Sequence, residues 1–267
     1  MVTIAAPVPH RRMNPMCTAR HTMTLAWRAV LKIRSNPEQL LDVTLMPIVF
    51  VTMFVFLFGG AISGGNRHAY VQFVLPGIAV QTLVFASSGT GINLTTDISK
   101  GIFDRFRSLP IARSSPLTGL IMGDLVRYGV SAAVTLAYGM LLGFRFHTNV
   151  FAVAGAYLLI TAFALALCWV WVLIAMFVRS AQSLQGFGFI LMFPLTFGSN
   201  VFVPTQTLPG WLQAWVKINP VTNLSDAVRG LMVGGPVANA AWHAVAWIAG
   251  ILVVFAPLAV TVYRRRT

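Results

Sequence analysis

The chain has 267 residues, of which 57% are hydrophobic and 9% charged, with a mean hydropathy of +0.77. Soluble domains carry roughly 25% charged residues, so this composition excludes a soluble globular fold and points to a membrane protein. The formal charge of +13 would suit nucleic acid, but the cations alternate with apolar runs instead of lining one face, and no nucleic-acid module is recognisable, so anionic cytoplasmic headgroups are the expected counter-charge.

In chain order, residues 1–19 read as a flexible cytoplasmic tail; Met1 to Pro9 is mildly apolar, but its cations follow the apolar residues, which is not the order of a cleavable leader. From Arg20 to Arg34, helical spacing gathers Met23, Ala26, Trp27, Val30, Leu31 and Ile33 on one arc, with Arg28 and Lys32 opposite. This reads as an amphipathic helix in the cytoplasmic interface, with a plain basic flank as the alternative. Asn36-Pro37 breaks it.

Six charge-free runs follow, each able to supply one helix of the ~20 residues that a bilayer core needs. They place spans at about 43–62, 70–94, 125–144, 150–178, 186–203 and 244–263, so residues 20–267 form a single transmembrane domain. Fifteen of the nineteen Lys and Arg lie in four segments: six before the first run, five after the second, Arg179 after the fourth, and Arg264, Arg265 and Arg266 at the end. Basic segments stay cytoplasmic, which predicts an all-α polytopic fold with six spans and both termini inside.

Between the second and third spans, Ile98, Ile102, Phe106 and Leu109 share a helical arc while Lys100, Asp104 and Arg107 point away. A short helix on the inner membrane surface would need a partner or lipid to cover that arc. Leu109-Pro110 ends it, and Ser115-Pro116 has the pattern of a helix start. Asp124 and Arg127, three residues apart, are expected to pair, with Arg127 at the interfacial end of the third span because a central Arg is expensive. Gly119/Gly123 and Gly139/Gly143 are candidate close-approach pairs, a pattern that chance also supplies in Gly-rich chains.

The fifth run is interrupted by Pro194, Gly198, Pro204, Pro209 and Gly210. It reads as a span kinked near Pro194, then a segment from Pro204 to about Met232 with Leu208, Trp211, Leu212 and Trp215, forming either short re-entrant helices before the last span or an outer aromatic belt.

The chemistry these residues permit is narrow. The three lysines precede Ile33, Gly101 and Ile218, so no nucleotide-binding P-loop is present. Glu38, Asp42, Asp97, Asp104, Asp124 and Asp226 lie at or beyond the ends of the apolar runs, which disfavours a gradient-driven antiporter unless a shifted boundary buries Asp42 or Asp124. No nucleophile with its base supports an intramembrane enzyme; His243 reads as an interfacial residue, and His10, His21, His68 and His147 have no ligand spacing, so no metal is expected. Cys17 and Cys168 fall on different sides of any redox boundary and are not expected to join. Met192, Phe193, Phe197 and Asn200, beside Pro194, are candidate lining for the route of a bulky apolar solute, although core packing explains them equally.

Two stretches carry a resemblance. Lys100 to Pro110 with Asp124-Leu-Val-Arg127, and Phe202-Val-Pro204 through Leu208-Pro-Gly-Trp-Leu212, Asn219-Pro-Val-Thr222 and Asp226-Ala-Val-Arg-Gly230, resemble the permeases of type-2 ABC exporters, most of all the daunorubicin-resistance permease branch. The resemblance implies six helices after an interfacial helix, short outer helices before the last span, and a bacterial cytoplasmic-membrane assembly of two permease copies, alike or different, with two separate ATPase subunits that bind ATP and Mg. It assigns Lys100, Gly101, Ile102, Phe103, Asp104, Arg105, Phe106, Arg107, Leu109 and Pro110 to ATPase coupling, with Phe103 and Phe106 as anchors and Arg105 and Arg107 as charge partners. ATP binding would then open the dimer interface between spans two and five outward. The implied cargo is a hydrophobic or amphipathic drug or polyketide, with lipid or glycolipid as the alternative; no cofactor is implied on this chain, and no nucleic acid as partner.

Overall fold

The computed structural model describes residues 37–62, 66–100, 115–178 and 180–266. The tail, the interfacial helix read over Arg20 to Arg34, and Gly101 to Pro110 of the coupling segment lie outside the described residues.

Among the described residues the chain is helical, without strands. Helix α1 (Pro37–Met53) runs through a π-helical turn (Phe54–Phe58) into a last helical turn (Gly59–Ile62). Then come α2 (Arg67–Ser99), α3 (Ser115–Leu141), α4 (Val150–Phe177) and α5 (Ala181–Phe197). A 3-10 turn (Thr205–Thr207) leads into two short helices, α6 (Gly210–Ile218) and α7 (Pro220–Val233), before α8 (Ala238–Arg266). By length and apolarity α2, α4 and the Ala238–Val262 portion of α8 suffice to cross a membrane, and Thr44–Phe58 is a shorter apolar stretch.

Capping side chains set several boundaries. Asn66 accepts from the Ala69 N–H at 3.1 Å, so α2 begins before residue 70. Asn149 accepts from the Ala152 N–H at 2.8 Å and starts α4 where the sequence placed it. Ser180 accepts from the Ser183 N–H at 3.1 Å, starting α5 before the expected residue 186. At its other end α5 stops at Phe197 rather than 203, because Asn219 closes it: the Asn219 amide donates to the Leu195 and Gly198 carbonyls at 2.8 and 3.0 Å. The side-chain oxygen Oδ1 of Asn219 meanwhile accepts from the Val221 N–H at 2.8 Å as the N-cap of α7, so one residue satisfies orphan groups of two helices. Helix α3 starts at Ser115-Pro116, where the Ser-Pro pattern reads a helix start, ahead of the span expected from about 125, and α8 starts at Ala238 rather than 244.

Helix α2 is the hub. It packs against α1, α3, α4, α5 and α7, while α8 leans on α4 and α7. Helices in lipid gain little from burying apolar surface against each other, since lipid tails are equally apolar, so association rests on van der Waals packing and interhelical hydrogen bonds. The hub is built accordingly, with small residues at its crossings. A Cβ on Gly77 would lie 2.8 Å from the Val201 carbonyl oxygen, and one on Gly91 would lie 3.1 Å from Trp171 backbone and side-chain atoms. Trp171, fully buried, donates its indole N–H to Ser87 Oγ at 2.9 Å, so its one polar atom is satisfied. On α3, Gly139 makes room for Leu75, but α3 ends at Leu141 and Gly143 has φ +101°, so the expected Gly139/Gly143 pair does not share a helix.

Gly77→Ala should therefore cost roughly 1–3 kcal/mol, because the new methyl meets backbone rather than a flexible side chain. Gly129→Ala, with open space around its Cβ, should instead be neutral or stabilise by up to about 1 kcal/mol. Thermal unfolding of the two purified variants, followed by size-exclusion fluorescence, separates the outcomes.

Candidate functional site

A cavity of about 670 Å³ opens between α1, α2, α3 and α5. Its walls are largely aromatic and aliphatic: Met46 and Phe50 from α1, Phe85 and Ile92 from α2, and Phe189, Met192, Phe193 and Phe197 from α5. The α5 phenylalanines recur every fourth residue and therefore stack along one face, with ring centroids 5.3 Å apart for Phe189 and Phe193 and 4.6 Å for Phe193 and Phe197. The ladder continues through Phe202 to Phe54, 3.8 Å away, and so ties α5 to α1. Gln81, Arg127 and Ser131 supply polar lining.

Behind the cavity lies a buried polar network. Arg127 pairs with Asp124 at 3.3 Å, and both are almost completely buried. Arg127 also donates to the Ala86 carbonyl, and Gly89 leaves the space its guanidinium fills, where any Cβ would collide. Thr90 Oγ1 hydrogen-bonds Asp124 Oδ2 and lies 3.2 Å from Cys168 Sγ, which is 3.1 Å from the Tyr128 hydroxyl. The network thus joins α2, α3 and α4. The expected Asp124–Arg127 pair forms, but the early start of α3 places it about midway along that helix instead of at an end. The cost of a central Arg, which suggested an end position, is met here by a carboxylate, a carbonyl and the gap at Gly89.

A second ion pair sits on the short helices. Arg229 Nη1 donates to Asp226 Oδ1 at 2.6 Å, Nη2 to the Asn200 carbonyl at 3.2 Å and Nε to the Phe73 carbonyl at 3.1 Å, while the guanidinium stacks 3.9 Å over the Phe73 ring. Asn200 Nδ2 donates to the same Asp226 oxygen at 2.7 Å. Arg229 thereby joins α7 to α2 and to the segment after α5.

Of the four residues expected along a solute route, Met192, Phe193 and Phe197 line the cavity. Asn200 does not: it is buried in the Arg229 cluster, since α5 has already ended and the chain has turned away. Lys100 forms the C-cap of α2, its N–H donating to the Thr96 carbonyl at 3.1 Å. His243 bonds within its own helix, Nδ1 to the Asn239 carbonyl at 2.7 Å.

Sequence reasoning missed Gln81, Ser131, Thr90 and Arg229 as site residues. Two signals were present: a glutamine amide deep in an apolar run, and the spacing of Asp226 and Arg229, which repeats that of Asp124 and Arg127.

A family model described as ABC-2 type transporter matches residues 20–233. The chain is 40% identical over 249 residues to the daunorubicin resistance ABC transporter permease protein DrrB1 of Streptomyces coeruleorubidus, covering 92% of this chain and 86% of that one. It is 28% identical over 221 residues to the probable doxorubicin resistance ABC transporter permease protein DrrC of Mycobacterium tuberculosis, covering 82% and 79% of the two chains. With the inner membrane transport permease YadH of Escherichia coli it shares 23% identity over 194 residues, covering 68% and 72%. The all-helical architecture, the match across most of the chain and the 40% identity together establish that this protein is a membrane permease of the ABC-2 type transporter family.

Proposed function

We propose that this chain is the membrane-spanning half of an ATP-driven exporter in the bacterial cytoplasmic membrane, moving a hydrophobic or amphipathic, drug-like solute outward. The observation that carries the reading is the aromatic cavity of about 670 Å³ between α1, α2, α3 and α5, large enough for a drug-sized molecule, in a chain related over most of its length to drug-resistance permeases. A lipid or glycolipid cargo is the alternative within the same family.

In this reading α1, α2, α3, α4, α5 and α8 are the six spans, α6 and α7 dip into the outer leaflet, and both termini are cytoplasmic. The exposed Trp211, Trp215 and Ile218 on α6 suit contact with that leaflet. The loop from Lys100 to Pro110 docks on a separate ATPase, with Phe103 and Phe106 seated in its groove and Arg105 and Arg107 pairing with acidic groups around it. Two such ATPases and a second permease copy complete the transporter, and ATP with Mg belongs to the ATPases.

The working cycle is a population shift. ATP brings the two ATPases together and pulls on the loop that continues from Lys100 at the end of α2. Because α2 packs against α3, α4 and α5, its displacement carries them with it and changes the cavity that α2 shares with α3 and α5. A solute held against Phe189, Phe193 and Phe197 then meets an outward opening.

Phe106→Ala should reduce co-purification of the ATPase by about tenfold or more, the loss typical of a buried aromatic anchor, while leaving membrane insertion intact. Undiminished ATPase recovery would remove the docking role.

Inverted vesicles test the fuel. Uptake of a fluorescent drug should require ATP and survive collapse of the proton gradient by an ionophore. Gradient-dependent, ATP-independent uptake would instead indicate an antiporter built on Asp124, the carboxylate that the structure buries midway along α3.

A further inference from the structure

Four polar atoms around the cavity have no partner in the protein. Gln81 Oε1 and Nε2, Ser131 Oγ and Arg127 Nε are buried and make no hydrogen bond, although all three residues line the cavity. Other buried polar groups of the same helices are engaged, Thr90 with Asp124, Ser87 with Trp171 and Thr135 with the Ser131 carbonyl; at the far end of α2, Gln72 leaves its Oε1 unmet but donates through Nε2 to the Gly143 carbonyl at 3.3 Å. A buried donor or acceptor without a partner is disfavoured, and one glutamine leaves both ends of its amide unmet.

The three residues also fall together. Helices α2 and α3 run antiparallel, with Arg127 against Ala86 and Gly89 and, further along, Gly139 against Leu75. Ser131, one turn beyond Arg127, therefore lies between these crossings, on the stretch of α2 that carries Gln81. Around them stand Phe50, Phe85, Phe189 and Phe193.

The charge facing the cavity has one sign. Arg127 lines it, whereas Asp124 does not, being held by Thr90 and by Arg127 itself. Among the described residues no Asp or Glu lines the cavity. An ammonium entering it would lose its hydration, find the Gln81 amide oxygen but no carboxylate to offset its charge, and face a guanidinium. A carbonyl, an amide or an anionic oxygen would meet three donors: Gln81 Nε2, Ser131 Oγ and Arg127 Nε.

We propose that Gln81, Ser131 and Arg127 form the polar reading site of this cavity, and that it selects amphipathic molecules with a flat apolar body and a neutral or anionic, acceptor-rich edge over those with an ammonium group. The proposal rests on the cavity being the cargo site and adds the chemical class that the site accepts.

The experiment uses the full-length chain in lipid nanodiscs and three pyrene probes with the same ring system, ending in a carboxamide, a carboxylate or an ammonium. Binding is read from energy transfer between tryptophan and pyrene, with protein-free nanodiscs subtracted. The carboxamide and carboxylate should bind about tenfold or more tightly than the ammonium. Gln81→Leu and Ser131→Ala should each erase most of that preference while leaving the ammonium's weak binding unchanged. Because each replaces an unpartnered polar group by an apolar one, thermal stability should hold or rise, whereas a purely structural role would lower it.

Equal affinity for all three probes, or an undiminished preference in both variants, would overturn the proposal. If Gln81→Leu fails to fold, Ser131→Ala decides alone. The readout needs no ATP, so loss of ATP-driven uptake with the probe preference intact would count against the exporter reading only. Uptake intact with no preference would count against the reading site only.

Discussion

One helix in contact with five others sets the terms for the rest of this permease. Helix α2 has no apolar advantage over lipid for its neighbours, so they stay because they approach closely and because polar groups meet across the gaps. Gly77 admits the chain at Val201, Gly91 admits Trp171, and Gly89 admits the Arg127 guanidinium. Each glycine is therefore a contact specification, and the cavity is the place where α2 is left incompletely covered.

Polar residues divide the bundle into two regimes. On one side of α2, Thr90, Asp124, Cys168 and Tyr128 satisfy one another and bind three helices into a unit. On the other, Gln81 and Ser131 face a space lined by phenylalanine with nothing to bond. Arg127 belongs to both, anchored by Asp124 and the Ala86 carbonyl while its Nε remains unpartnered. It is a rigid boundary between a region that holds the protein together and a region that can exchange contacts.

Much of the architecture was legible in the sequence because apolar runs, helix caps and cation placement are local signals. The start of α4 behind Asn149 and the two short helices before α8 followed from hydropathy and turn chemistry. Boundaries went wrong where a distant residue decided them. Asn219 closes α5 from beyond α6, and no window over residues 186–203 contains that information. Arg127 was displaced toward a helix end because insertion cost is an average over unpaired arginines, whereas here Asp124, Ala86 and Gly89 meet the charge. Met192, Phe193 and Phe197 were identifiable as a stripe, but Asn200, a few positions on, was drawn into the Arg229 cluster after the helix had ended. Gln81 and Ser131 gained meaning only when folding put them beside the same void.

The double role of Asn219 has a mechanical corollary. Its single side chain clasps the last carbonyls of α5 while starting α7, and Arg229, nearly three turns further on, grips the backbone of α2 and of the segment after α5. The ends of α5 and α2 nearest α7, the two helices that flank the void, are thus yoked through one short crossbar. Neither can tilt without dragging that crossbar, so a tug delivered at the opposite end of α2 would arrive at the mouth as a concerted swing rather than as independent fraying.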